Sequence, residues 1–186
     1  MKQVVLIAGG SASGKSTLVE GLALRLREAG SSVETLSLDT YFRRTDPTAP
    51  QVWIPEENVH KFDCNHPETA DVAAACDALD TARADFVLFE GHFALVHPPL
   101  RERSTLSVYL EVPDDVRAVR RILRDMKTGR SGGSLEAIAA YYLASAHPGH
   151  LKYVAPSRVY ADLVLDGTLP AQTLIDTLFA RLKLNS

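Results

Sequence analysis

The sequence predicts an α/β protein of three layers (α/β/α), with helices on both faces of a five-stranded parallel sheet. Two observations carry that expectation. Five short runs rich in apolar and β-branched residues alternate with amphipathic stretches of helical length, and strands separated by helices in this way pair in parallel. The first run also empties into GGSASGKST and then into a helix, the strand–loop–helix order that a phosphate-binding P-loop requires.

Taken in order, Val4 to Ala8 reads as the first buried strand, and Ser16 to Ala29 as a helix with Leu18, Leu22 and Leu26 on one face, stopping at Gly30. Val33 to Leu38 follows as a strand. Residues 41–67 hold four prolines, Trp53 and mixed charge without periodicity, and are expected to form a long ordered loop on the substrate side. Asp71 to Leu79 is a helix, Phe86 to Phe89 and Leu106 to Val112 are strands, and Asp114 to Met126 and Leu135 to Ala146 are helices. Leu163 to Leu165 and Ala171 to Leu184 complete the set as strand and helix. The breaks TGRSGGS (128–134) and HPGH (147–150) flank the fourth helix, so 125–150 is the candidate lid. A chain of 186 residues suits one core, and a single domain over 1–186 is expected.

Composition excludes several classes. With 20 basic and 23 acidic side chains the net charge is -3, without the basic footprint of a duplex-binding protein. Nucleic acid is not an expected partner. No apolar run reaches membrane-spanning length and MKQVVLIAGG lacks a signal-type apolar region, so no membrane partner and a cytoplasmic location are expected. Cys64 and Cys76 are expected as free thiols. His60, His66, His92 and His97 lack the spacing of a metal-ligand set and are expected as substrate contacts or plain surface.

The chemistry starts in the loop. Gly9, Gly14, Lys15 and Ser16 satisfy G-x-x-x-x-G-K-[ST]. Small residues at Gly10, Ser11, Ala12 and Ser13 let successive backbone N–H groups turn onto an anion, with the dipole of the following helix behind them. Lys15 brings a point charge to the β- and γ-phosphates, Ser16 a hydroxyl for Mg²⁺, and Thr17 a phosphate contact or helix cap. Asp39 ends LSLD at the carboxyl edge of the sheet, where such folds bind ligands. It either accepts a proton from an attacking hydroxyl or caps the following turn. Glu90 ends ADFVLFEG in the manner of a Walker B strand, as a magnesium-shell carboxylate or a solvated strand end. Arg117, Arg120, Arg121 and Arg124 recur at three- and four-residue spacing ahead of Arg130. They read as a lid that neutralises a transferring phosphoryl group, or as a solvated basic face.

In this order GGSASGKST, LSLDTYF, FDCNHPETAD, ADFVLFEGHFAL, the RRILRD helix and LKYVAPSRVYADLVLDG resemble the uridine kinase and phosphoribulokinase family, nearest its uridine kinase branch. The resemblance covers nearly the whole chain. It implies a P-loop kinase that uses ATP and Mg²⁺ on a hydroxyl of a small ribose-bearing acceptor, the uridine 5′-hydroxyl in that branch. It gives Asp39 the role of catalytic base, Arg121 and Arg124 contacts to substrate or phosphate, and Arg130 the lid tip. It places Tyr41, Phe42, Asp63 and His66 near the acceptor, with Ser16 and Glu90 on the metal. Nicotinamide riboside, pantothenate or a sugar or sugar phosphate are alternative acceptors, and a non-catalytic nucleotide-binding regulator the alternative class; no N-K-x-D motif points to a switch GTPase. A homo-oligomer stays open. The sequence departs from the pattern in four places. The hairpin that carries pyrimidine contacts between the Asp-His-Pro segment and the Glu-Gly strand is missing, so weak base discrimination is expected, with Trp53 either a stacking face or an apolar plug. FDCNHP offers Asp63 or Asn65 for the family's Asp, the lid is one residue shorter with Thr128 near an expected Arg, and Phe42 stands where the branch has Tyr.

Overall fold

The computed structural model describes residues 2–130 and 133–183. Its central sheet has the order β2-β5-β1-β6-β7, with β1 (Gln3–Ala8), β2 (Val33–Ser37), β5 (Phe86–Glu90), β6 (Leu106–Glu111) and β7 (Leu163–Asp166) all parallel. The alternation of a strand explains how β1 serves two cores. Val5 and Ile7 pack with Leu18, Leu22 and Leu26 of α1 (Lys15–Glu28) and with Leu174, Leu178 and Leu182 of α7 (Ala171–Lys183). Val4, Leu6 and Ala8 pack on the other face with Ala75, Cys76 and Leu79 of α2 (Val72–Thr81), with Leu100 of α3 (Pro98–Arg101) and with Val154. Both faces are thus covered, giving the three layers.

Residues 41–67 are not a plain loop. A 3₁₀ turn over Leu38–Tyr41 leads to an antiparallel hairpin of β3 (Gln51–Ile54) and β4 (Val59–Phe62), with Trp53 opposite His60. The prolines do not oppose it: Pro50 precedes β3 and Pro55 follows it, so neither has to donate to the ladder. Asn58, at φ 52, closes the turn. The arginine-bearing α4 (Asp114–Thr128) ends at Gly129. After it, α5 (Leu135–Tyr141) starts at Ser134, whose hydroxyl accepts from the Ala137 amide at 3.1 Å. The helical path runs well past the expected end at Ala146: π-helical turns at Tyr142–Ala146 and His150–Val154 bracket α6 (His147–Gly149), and a 3₁₀ stretch reaches Tyr160. Of the expected lid and terminal helix, Ser131, Gly132 and Leu184 lie outside the described residues.

Candidate active site

Parallel packing brings the carboxyl ends of β1, β2 and β5 to one edge, and a cleft of about 990 Å³ opens there. The P-loop forms its floor, the turn after β2 and the end of β4 one wall, and α4 with Tyr141 the other. Lys15 is buried and donates to the Gly10 carbonyl at 2.9 Å. Burial pushes its ammonium below the usual lysine range, against the pull of the Glu90 and Asp39 carboxylates. Gly10 is small for a local reason: a Cβ there would run into the guanidinium of the buried Arg117. Glu90 Oε1 accepts from Ser16 Oγ at 3.1 Å and from Ser37 Oγ at 3.3 Å. This all-oxygen set of a carboxylate and hydroxyls beside a phosphate loop fits Mg²⁺, which takes few protein ligands and fills its shell with phosphate oxygens and water.

Asp39 sits in the turn after β2 with a side chain 60% exposed, lining the cleft. Among the described residues its carboxylate caps no turn and makes no hydrogen bond. Beside it stands His92, whose Nδ1 is 3.9 Å from Asp39 Oδ1 while Nε2 lies 2.9 Å from the Cys64 carbonyl. Burial drives the His92 pKa down to about 4, with Asp39 opposing, so the ring is neutral near pH 7.

The arginine stripe divides. Arg117 is buried under the P-loop, donating to the Val112 carbonyl at 3.2 Å and pairing with Asp114. Arg120 donates to the Gly167 carbonyl at 3.0 Å. Arg121 and Arg124 share Asp125, at 3.3 Å and 2.7 Å, and Asp125 is 1% exposed. Arg120, Arg121 and Arg124 line the cleft with Arg130 beyond the helix end, while Arg117 does not, so α4 presents neither a uniform lid face nor a solvated one. A smaller cavity of about 300 Å³ adjoins the loop on its far side, between Ser13, Thr17, Arg120, Gly167 and Leu169.

On the acceptor side Phe42 and Phe62 form an apolar wall, with the Arg44 guanidinium 5.4 Å from each ring. Asn65 reaches the cleft, its amide donating to Ser145 Oγ at 2.7 Å and to Tyr141 Oη at 3.3 Å. Asp63 turns away, accepting from Ser145 Oγ at 2.5 Å and from the backbone N–H of Asn65 at 3.0 Å. His66 accepts from the Glu68 amide and packs edge-on to Tyr153, and Tyr41 packs on the core; neither lines the cleft. Trp53 lies on the hairpin 5.0 Å from His60, also outside the lining. Of the acceptor-side residues expected from sequence, the structure therefore gathers Asp39, Phe42 and Arg121, and leaves Tyr41, Asp63 and His66 behind the wall. It adds Arg44, Cys64, Asn65, His92, Asp125 and Tyr141. The sequence marked Asn65 as an option and offered His92, with three other histidines, as a substrate contact or plain surface.

Comparison with known proteins agrees with this architecture. The profile of the Phosphoribulokinase / Uridine kinase family matches residues 66–173. A uridine kinase of Deinococcus deserti is 31% identical over an alignment covering 97% of this chain and 95% of the relative. That alignment runs to 206 positions against a chain of 186, so the relative holds residues within the aligned span that this chain lacks. Two solved structures share the fold. A protein of Silicibacter sp. TM1040 assigned as a fructose transport system kinase aligns with a TM-score of 0.63 at 23% identity, over 88% of this chain and 89% of its own. Shikimate kinase of Acinetobacter baumannii aligns with a TM-score of 0.59 at 20% identity, over 100% and 96%. The P-loop floor, the Glu90 strand end and the match across most of the chain together place this protein in the phosphoribulokinase/uridine kinase family.

Proposed function

We propose that the protein is a phosphotransferase that moves the γ-phosphoryl group of ATP, with Mg²⁺, to a hydroxyl of a small ribose-bearing acceptor, with the uridine 5′-hydroxyl as first choice. The observation that carries this reading is Asp39, an exposed carboxylate in the same cleft as Lys15 and Glu90 that makes no hydrogen bond among the described residues. Backbone N–H groups from Gly9 to Thr17 and the Lys15 ammonium bind the phosphates, and the smaller cavity receives the donor's base. Ser16 and Glu90 would hold Mg²⁺, which when bound draws charge from the β- and γ-phosphate oxygens. Asp39 takes the proton of the acceptor hydroxyl as its oxygen bonds to the γ-phosphorus and the bond from phosphorus to the β–γ bridging oxygen breaks, leaving ADP. Arg121 and Arg124, beside Asp125, offset charge on the transferring group together with Arg130 of the same cleft, which serves as the lid-tip arginine.

The acceptor pocket supports weak base discrimination. Between His66 and β5 the described residues form a 3₁₀ turn and α2, with no hairpin to present polar groups to a base. A site rejects an analogue strongly when its own buried polar groups are left unpaired. The test is kcat/KM for uridine, cytidine, adenosine, nicotinamide riboside, pantothenate and ribose at fixed ATP and Mg²⁺. Turnover of the ribose-bearing acceptors is expected, with uridine favoured over adenosine by less than about 10⁴-fold. Activity confined to an acceptor without ribose would overturn the reading.

A further inference from the structure

Two hydrogen-bond acceptors stand side by side in the cleft wall, and no side chain among the described residues hydrogen-bonds to either. Asp39 Oδ1 and His92 Nδ1 are 3.9 Å apart, too far for a bond to each other. The orientation of His92 is fixed from behind. Its Nε2 meets the Cys64 carbonyl oxygen at 2.9 Å, and a carbonyl only accepts, so in the neutral ring Nε2 carries the proton and Nδ1 keeps its lone pair. The ring centroid lies 4.0 Å from that of Phe93 and 5.8 Å from that of Phe42, which meets it edge-on, and this packing opposes a flip. A hydroxyl has one proton to give. The reacting hydroxyl gives its proton to Asp39, so it cannot also satisfy His92.

We infer that His92 Nδ1 accepts a hydrogen bond from a second hydroxyl of the acceptor, which makes His92 a specificity residue for a polyhydroxylated substrate held astride Asp39 and His92. This rests on the proposal above that the acceptor bears a sugar. For a nucleoside reacting at its 5′-hydroxyl, the 3′-hydroxyl is the group within reach on the same ring.

The first measurement needs no substrate. Long-range ¹⁵N–¹H NMR on protein labelled at the histidine nitrogens reads the tautomer of His92: Nε2–H is expected, and Nδ1–H overturns the proposal. The second is the ratio of kcat/KM for uridine over 3′-deoxyuridine in three proteins. The wild type should show a ratio of about tenfold, the scale of one lost hydrogen bond to a buried partner. His92→Asn, whose Oδ1 takes the place of Nδ1, should keep most of that ratio, and His92→Phe should bring it near unity. Equal ratios in the wild type and His92→Phe overturn the proposal, as does loss of the ratio in His92→Asn and His92→Phe alike, which is what a purely packing role produces. If the wild type turns over neither nucleoside, uridine is the wrong acceptor, and the same ratios decide on whichever acceptor is turned over and its deoxy analogue. Activity confined to acceptors with a single hydroxyl also overturns it.

Discussion

Removing the carboxylate of Asp125 tests how the cleft holds its cations. The side chain is 1% exposed and lies between Arg121, itself 7% exposed, and Arg124, which is 36% exposed. Asp125→Ala would leave the buried Arg121 guanidinium with its charge uncompensated, and breaking a buried pair from one side costs roughly 3–5 kcal/mol. The lower end applies here. The Arg121 Nε to Asp125 Oδ2 contact is 3.3 Å without hydrogen-bond geometry, and the half-wet Arg124 pair adds little. A loss of about 3 kcal/mol in a chain of this size lowers Tm by roughly 6–12 °C. Thermal unfolding monitored by circular dichroism measures it, alongside turnover with saturating ATP. Turnover should fall as well, since Arg121 and Arg124 lose their common anchor. A Tm within about 2 °C of wild type would refute the reasoning, because it would mean that Arg121 finds water or another partner at no cost.

Two further predictions concern stability. Gly9→Ala should cost at least about 2 kcal/mol in urea unfolding, since φ is +142° and the new Cβ would lie 2.5 Å from the Leu110 carbonyl oxygen; an unchanged midpoint would contradict it. Asp85 accepts from the Ser32 hydroxyl at 2.6 Å and from its amide at 2.8 Å, which hold its pKa below the ordinary value. Its contribution is complete above the unfolded pKa of about 3.9 and is lost as pH falls through the lower folded value. The urea midpoint should therefore drop more steeply from pH 5 to pH 3 in the wild type than in Asp85→Asn, and parallel profiles would contradict this.

What was legible in the sequence follows from how local each constraint is. The P-loop was legible because its residue types answer to the backbone over nine consecutive positions, and the strands because burial on both faces leaves continuous apolar runs. The β3–β4 hairpin was not. Each strand is four residues, the flanking prolines read as breakers, and the turn runs through a 3₁₀ segment and Asn58 rather than a two-residue signature. For α4, spacing put the arginines on one side but said nothing of what packs there. Arg117 proved to lie beneath Gly10, and Asp125 to hold two of the others. The FDCNHP segment was ambiguous because the register of one turn decides which side chain faces inward. Ser145, distant in sequence, takes Asp63 on one side and Asn65 on the other, and leaves Asn65 at the cleft.

The claim that Asp39 is the base of a phosphotransferase is tested most directly by Asp39→Asn. Asparagine keeps the shape and removes the basic oxygen, so with ATP, Mg²⁺ and uridine kcat should fall by about 10²-fold or more. ATP affinity, read by titration with a non-hydrolysable analogue, should stay within about threefold of wild type, because the phosphate contacts come from the loop. A kcat within about a factor of two of wild type, with only KM for the acceptor raised, would contradict the account and place the base elsewhere.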